Sequence, residues 1–399
     1  MPAYLKQGQQ QLPGSMGWDV FFSQASFPVT ALDNNTSLGL ADQAAYLRDT
    51  DLKKIEVSRI VRKTSEKQSR WVIENSVNSW RMHFGEQSGG ERAGLFLGLG
   101  TVDCDDDGAQ ISFRGDYNQL AREGLSQIKP LSGLTLLNST TASHIAERLQ
   151  ITGANGVYSP HADAGGNAFA EAYFNLTENR CDVALVSGGS QKITPWYFLA
   201  YQSDLSGVSA QAWCPAEAVA TVLLSQSPQS AEGVLLSVHR GFSANFQPSD
   251  YLLDQIALQL AQSRDGTSAE KPMQIIHVGL PEQAQKMVAP LSRFFPGAHQ
   301  LLLDTVIGTT GPAGAAIGVN LALEILKRHE MLSSNQAQSN LDLELVDAPV
   351  LNAPDCVPLN CQHVLVACYG LQGQQVFLLI GGTSTANALV GDGKGAQHG

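Results

Sequence analysis

Charge is scarce in this chain of 399 residues: Asp, Glu, Lys and Arg together make up 16%, and only 25 residues are basic against 37 acidic ones. The resulting net charge of −12 argues against nucleic-acid binding, which depends on Lys and Arg neutralising phosphates. The same acidity repels an acidic carrier protein unless a basic patch or a second subunit receives it. Long apolar runs are missing too. No stretch approaches the roughly 20 apolar residues that a membrane-spanning helix needs. Met1 to Gly17 lacks the apolar h-region of a secretory signal, so the expected location is cytoplasmic. The six cysteines (Cys104, Cys181, Cys214, Cys356, Cys361 and Cys368) show no C-x-x-C spacing. That argues against a zinc site and a disulfide framework, and predicts reduced thiols. In that compartment the N-x-[ST] matches at Asn35, Asn138 and Asn175 carry no meaning.

What is present is apolar. Hydrophobic residues make up 43% and there are 38 glycines, a balance that fits an α/β protein with a wide interior and argues against disorder. The chain is long enough for one large unit or two fused halves. Its low charge density suggests that another chain covers part of the surface.

The first fifty residues are rich in Gln, Asn and Gly, with Trp18 to Phe22 read as an edge or first strand. Helical spacing runs from Lys53 to Met82, and Ala93 to Gly100 reads as a buried strand. Helices follow at about Ala142 to Leu149 and Gly165 to Leu176, separated by a turn at Gly153 to Gly156. Cys181 to Gly189 and Val219 to Ser225 read as strands, and a polar break spans Gln226 to Glu232. The pattern restarts with a helix at Tyr251 to Gln262, a strand at Met273 to Gly279 and a helix at Gly311 to Arg328. Strands at His363 to Cys368 and Gln375 to Gly381 close it, and the small polar tail from Thr383 is expected to be disordered. Apolar strands alternating with helices imply sheets covered on both faces.

Several segments, in order, resemble the β-ketoacyl synthase family of the thiolase fold. Asn138-Ser-Thr-Thr-Ala-Ser-His144-Ile-Ala is similar to the family's N-x-x-A-x-H-I-A helix, and Gly153-Ala154-Asn155 to its G-P-N turn. Glu171-Ala172-Tyr173 and Asp182 to Gly189 match its helix end and D-V-A-L-x-G-G strand. Ala216-Glu217-Ala218-Val219-Ala220 stands at its G-E-G-A-G, and Tyr369-Gly370-Leu371-Gln372-Gly373 at its F-G-F-G-G. The resemblance runs from about residue 90 to 381 and implies two similar α/β halves in a five-layer αβαβα arrangement. On that reading residues 1–230 form the first half, 231–382 the second, and 383–399 a tail.

Condensation in that family uses a thiolate, two imidazoles and a lysine. The Cys lies in T-A-C-A-S-G at a helix start, where the dipole lowers its pKa and backbone N–H groups bind the oxyanion. Here the matching stretch is Ser159-Pro160-His161-Ala162-Asp163-Ala164-Gly165, with Ala162 at the Cys position. An alanine carries no acyl group, and Asp163, read as an N-cap, raises the pKa of any nearby thiol. Val278 takes the first histidine's place, with His277 one residue early and so on the opposite strand face. Asp304 replaces the lysine and Thr309 the second histidine.

The family includes chain-length factors, subunits that lack the Cys and pair with an active ketosynthase. The resemblance therefore implies a non-catalytic subunit in a heterodimer with a Cys-containing ketosynthase, meeting acyl carrier protein mainly through that partner. No cofactor is implied. Aromatic-polyketide chain-length factors usually have Gln at the Cys position; Ala162 departs from that, which makes an aryl-polyene-type system as plausible as an aromatic one. Phe113 and Tyr117 are candidates for the tunnel floor, against the plainer reading of ordinary core or interface aromatics.

Sharper readings of other segments are weaker. Asp103 to Gly108 copies the start of an EF-hand loop, but Arg114 stands where the bidentate Glu belongs. His161 and Asp163 lack a third metal ligand at any identifiable spacing, so no metal is expected. A hydrolase or acyltransferase with relocated chemistry would have to use Ser159 with His161, and no G-x-S-x-G elbow supports it. A homodimeric acyl-binding protein is the third possibility.

Overall fold

The computed structural model describes residues 2–15, 17–22, 28–48, 57–101, 118, 122, 131–202, 205, 209–210, 213–263, 273–336 and 361–383. Up to the polar break the elements are β1 (Ala3–Gln11), α1 (Trp18–Phe22), β2 (Thr30–Ala31), α2 (Asn34–Ser37), β3 (Gln43–Ala44), α3 (Arg59–Thr64) and α4 (Lys67–Phe84). They continue with β4 (Ala93–Leu99), α5 (Ser132–Thr135), α6 (Asn138–Leu149), β5 (Asn155–Tyr158), α7 (Ala162–Thr177), β6 (Val183–Gly189), α8 (Pro195–Tyr201) and β7 (Val219–Ser225). After it come β8 (Gly233–Phe242), α9 (Asp250–Gln262), β9 (Met273–Val278), α10 (Pro281–Phe294), β10 (His299–Leu302), α11 (Leu303–Ile307), α12 (Ala313–Gln336), β11 (His363–Tyr369) and β12 (Gln374–Gly381).

Ten strands run in the order β10-β9-β11-β12-β8-β1-β7-β6-β4-β5. Numbered within each block of five, both blocks read 3-2-4-5-1 from their outer edges. Directions repeat as well. β4 is parallel to β5 and β6, while β7 is antiparallel to β6 and β1. β9 is parallel to β10 and β11, while β12 is antiparallel to β11 and β8. The blocks join through antiparallel β1 and β8, with Ala3 opposite Leu235. Identical blocks joined antiparallel are related by an approximate two-fold.

The layers follow from which faces are apolar. Helices α7 and α12 pack on each other and on strands of both blocks, forming the middle layer. α4 and α6 cover the outer face of the first block, and α9 and α10 that of the second. The middle core joins Phe169 and Ile317 to Val186 and Val366, all at most 1% exposed. At the crossing of α7 and α12 a Cβ on Gly165 would lie 2.2 Å from the Pro312 carbonyl oxygen, so only glycine permits this approach. The result is the five-layer αβαβα arrangement of two similar halves.

Several expectations need correction. Trp18 to Phe22 is a helical turn, not a strand: Trp18, Phe21 and Phe22 stand at i, i+3 and i+4, one helical face, and pack on the middle core. The helix expected from Lys53 to Met82 is two helices, divided where Ser65 bonds back to the Val61 carbonyl and Glu66 caps α4 by accepting from Ser69 N–H; residues 53–56 lie outside the described residues. The turn expected at Gly153 to Gly156 already contains the start of β5. The helix expected from Gly311 starts at Ala313 and continues to Gln336. β1 carried no recognisable strand signal, because its Gln-rich run is satisfied by tertiary hydrogen bonds. Gln7 N–H donates to Glu232, Gln7 Nε2 donates to the Asn320 carbonyl at 2.8 Å, and Gln9 N–H donates to Ser79 Oγ at 2.7 Å.

Candidate functional site

Two helix N-termini, related by the approximate two-fold, converge in the middle layer. β5 ends at Tyr158, the chain turns through Ser159–His161, and α7 begins at Ala162. On the other side β10 runs into α11, and the turn Gly308–Pro312 leads into α12. Between them lies a cavity of about 50 Å³ bounded by Ala162, His161, Tyr197, Tyr201, Thr309 and Thr310 among others. It has room for roughly three or four water molecules.

The polar atoms facing this space suit water. Gln191 Oε1 and Thr310 Oγ1 are buried without a protein hydrogen-bond partner. The other wall is aromatic: His161 packs on Tyr201 with ring centroids 5.0 Å apart, and Tyr197 lies 5.2 Å from Tyr201 and 6.2 Å from Trp213. Nothing in the sequence marked Tyr197, Tyr201, Trp213 or Gln191 as neighbours of the helix start, because they arrive from α8 and the segments around it.

Of the four positions identified by resemblance, Ala162 and Thr309 line the cavity, and Val278 and Asp304 do not. Ala162 is the first residue of α7 and 3% exposed. Thr309 sits opposite, its backbone bonded to the Cys214 carbonyl at 2.6 Å and the Ala216 N–H at 2.9 Å. Val278 ends β9 and points into the middle layer, where a Cβ on Gly314 would lie 2.3 Å from its Cγ1. Asp304 is buried in α11. Burial pushes its carboxyl well above the usual range, while the Gly279 N–H and the Thr309 hydroxyl draw it partly back. Neither of its oxygens completes a hydrogen bond of good geometry, so the neutral acid is the favoured form.

Asp163 is not the N-cap. That place belongs to His161, whose side chain makes no capping bond, and Asp163 is the second helical residue. Its pKa is raised chiefly by burial, with the N–H groups of Asp163 and Ala164 pulling the other way.

His277 faces away from Val278, into the outer layer of the second block. Its Nδ1 is 2.8 Å from Tyr369 Oη and its Nε2 2.7 Å from Gln300 Oε1. Complete burial lowers its pKa to about 4, against a smaller raising effect from Gln300, so it is a neutral structural imidazole. Tyr369, a residue on the cavity wall, is thus held by a hydrogen bond in the outer layer. His144 is likewise packed, with Nε2 2.7 Å from Thr64 Oγ1.

The remaining candidates do not add a nucleophile. Ser159 is exposed, whereas His161 borders the cavity. Burial raises Cys181 and Cys214 to about 11 and Cys361 to about 12, and Cys368 higher still, the reverse of an activated thiol. Among the described residues no group of three or more His, Cys, Asp or Glu is arranged to hold a metal ion. Phe113, Tyr117, Cys104, Cys356 and the Asp103–Gly108 segment with Arg114 lie outside the described residues. No described helix is long and apolar enough to cross a membrane.

Behind the cavity a buried ion pair fixes the segment before β7. Lys67 Nζ lies 2.9 Å from Glu217 Oε2, and Glu217 also accepts from the Leu47 N–H at 3.1 Å.

Residues 39–230 match the model of the β-ketoacyl synthase N-terminal domain, which extends the likeness well upstream of the motifs that carry it. Among solved structures, a β-ketoacyl synthase from Burkholderia phymatum STM815 is similar at 14% identity and TM-score 0.70, over 96% of this chain and 99% of that one. The ketosynthase from module 6 of the bacillaene synthase of Bacillus subtilis 168 is similar at 12% identity and TM-score 0.67, over 96% and 72%. A type II polyketide synthase acyl-carrier protein in complex with its ketosynthase bound to the hexaketide is similar at 12% identity and TM-score 0.67, over 96% and 99%. No curated protein matches this sequence significantly. The architecture is the thiolase-like ketosynthase fold.

Proposed function

We propose that this chain is a non-catalytic, chain-length-factor-like subunit. It pairs with an active, Cys-bearing β-ketoacyl-[acyl carrier protein] synthase and shapes the acyl tunnel during polyketide or polyene elongation, an aryl-polyene-type system included. The observation that carries this reading is Ala162: the first turn of α7 keeps the burial and the close helix crossing of the fold but presents a methyl group to the cavity. Val278, Asp304 and Thr309 stand where the resemblance places the family's acid–base groups and lysine. Chain growth then belongs to the partner's cysteine, and acyl carrier protein docks mainly on that partner, consistent with the acidity of this chain.

A second subunit also accounts for exposed apolar surface. Leu134, Leu136 and Leu137 precede α6, and Ile60 projects from the neighbouring α3; all are between 42% and 52% exposed. β5 is the outermost strand of the same block among the described residues. Such features are normally paired or covered. An enzyme using Ser159 and His161 is disfavoured, because the serine lies outside the cavity that the histidine borders.

The test is co-expression with a genomically adjacent ketosynthase, with the affinity tag on this chain only. One-to-one co-purification, with malonyl-carrier condensation that needs both chains and vanishes when the partner's cysteine is removed, is the expected result. Replacing Phe113 should then change product length. A soluble homodimer that turns over acyl substrates unaided overturns the proposal.

A further inference from the structure

This acidic chain exposes a face of unmatched positive charge. We propose that helix α3 and the adjoining helix α5 form a charge-coded docking face, which takes an acidic surface of the partner ketosynthase subunit and excludes a second copy of this chain. The inference rests on the proposed pairing with such a subunit, and assigns the place and the chemistry that select it.

Residues Val57 to Phe84 carry six Lys and Arg against two Glu, in a chain whose net charge is −12. Helix α3 turns part of that excess to solvent. Val61 and Thr64, three residues apart, point into the protein, and Arg59, Arg62 and Lys63 stand exposed at i, i+3 and i+4 on the opposite side. Both carboxylates of the segment are engaged elsewhere. Glu66 caps α4 by accepting from the Ser69 N–H at 3.1 Å, and Glu74 lies 3.5 Å from Arg148. Glu147 on the neighbouring α6 lies 3.9 Å from His144 Nδ1. Among the described residues none of the three α3 cations meets a carboxylate. Exposed cations in other parts of the chain do: Arg81 pairs with Glu86, Arg92 with Asp182 and Lys286 with Glu282.

Apolar surface adjoins this charge. α3 packs against α5, and Ile60, Leu134, Leu136 and Leu137 are exposed on and next to the two helices. Two copies of the chain meeting through this face would bring the patch to itself, with Arg59, Arg62 and Lys63 set against the same residues of the other copy. Like charges gathered at an interface oppose association. A subunit that offers carboxylates around an apolar centre meets no such penalty. The leucines and isoleucine attract any apolar surface, and the cations decide which partner stays.

The experiment compares the full-length chain with Arg59→Glu/Arg62→Glu/Lys63→Glu, each alone and each with the genomically adjacent ketosynthase. Association is read by sedimentation velocity at about 0.1 M salt, where charges act over about 10 Å, and at about 1 M, where they act over about 3 Å. The expected heterodimer is at least about tenfold weaker in the variant at the lower salt, and the difference closes at the higher. The second readout needs no partner. Arg59→Gln/Arg62→Gln/Lys63→Gln should self-associate at a lower concentration than the unmodified chain, because the repulsion between copies is gone. Heterodimer affinity that ignores both charge and salt overturns the proposal, as does unchanged self-association. An acyl carrier protein that binds through these three residues, with ketosynthase pairing untouched, overturns the choice of partner. Should the glutamate variant fail to fold, the glutamine variant decides by the same two measurements. A chain that pairs with no ketosynthase at either salt overturns the subunit reading and the occupant named here. Loss of the charge dependence alone overturns only the docking face, so the two failures are distinguishable.

Discussion

Behind β6 and β7, helix α4 meets the first block through hydroxyls and an amide set among Trp71, Val72, Ile73, Val77 and Trp80. Behind β9 and β11, helices α9 and α10 meet the second block through leucine, isoleucine and methionine. In the first block Ser76 Oγ lies 2.7 Å from Ser187 Oγ, Ser187 Oγ lies 2.8 Å from Thr221 Oγ1, and Thr221 donates to Asn75 Oδ1 at 2.6 Å. In the second block Leu253, Ile256, Met287 and Leu291 pack on Ile275 and Leu365, interrupted by the His277–Tyr369–Gln300 chain. Strand order and direction are the same in both. Topology thus depends on each face being buried and each polar group satisfied, whereas the chemistry that satisfies it is free to differ.

Five substitutions sharpen that contrast. The largest effect is expected at the first block's ion pair. Lys67→Met removes the ion-pair partner of Glu217, whose side chain is 1% exposed, and should cost on the order of 3–5 kcal/mol in urea unfolding. On the apolar side, Ile256→Ala opens a cavity at a fully buried position and should cost about 2–5 kcal/mol by the same measurement.

The pH dependence differs in sign between two buried groups. His277 is held near 4 in the folded chain, so the unfolded chain takes up the proton first as pH falls below about 6.5. Stability should be lost between about pH 6.5 and pH 4, by up to about 3 kcal/mol, and His277→Gln should reduce that dependence. Asp304 acts oppositely: its folded carboxyl keeps a proton that the unfolded chain releases, so stability falls as pH rises above the usual carboxylate value. Asp304→Asn should flatten that limb in unfolding midpoints measured from pH 4 to pH 8. The smallest effect is expected for Thr221→Val, which orphans Ser187 and Asn75 partners and should cost about 1–3 kcal/mol. A neutral result there would mean that the hydroxyl network stabilises the first block no better than apolar contact.

The contrast also explains what could be read in advance. Val219 to Ser225, Met273 to Val278 and His363 to Cys368 are predominantly apolar runs, and each is a strand near the expected limits. β1 sits between β7 and β8 at the junction of the two blocks, yet went unread because its glutamines are satisfied across space by Glu232, Asn320 and Ser79. Helix α10 contains Pro290, a residue that argues against a helix in any local reading, and packs through Met287 and Leu291 nonetheless. At the site, Ala162, Val278, Asp304 and Thr309 were identified by their place in ordered motifs. The aromatic wall of Tyr197, Tyr201 and Trp213 was not, since no local pattern ties those residues to the start of α7.

The sequence by itself determined that strands alternate with helices, that the interior is covered on both faces, and that no thiol stands at the start of α7. Hydrophobic periodicity and residue identity are local properties, and they survive without a partner. Only the tertiary structure decided that Asp163 lies beneath Gly370 instead of capping the helix, and that His277 is a buried prop for Tyr369. It likewise decided that Tyr197, Tyr201 and Trp213 wall the cavity beside Ala162. Those outcomes depend on which surfaces approach within a few ångströms, and that distance is set by the packing of two blocks far apart in the chain.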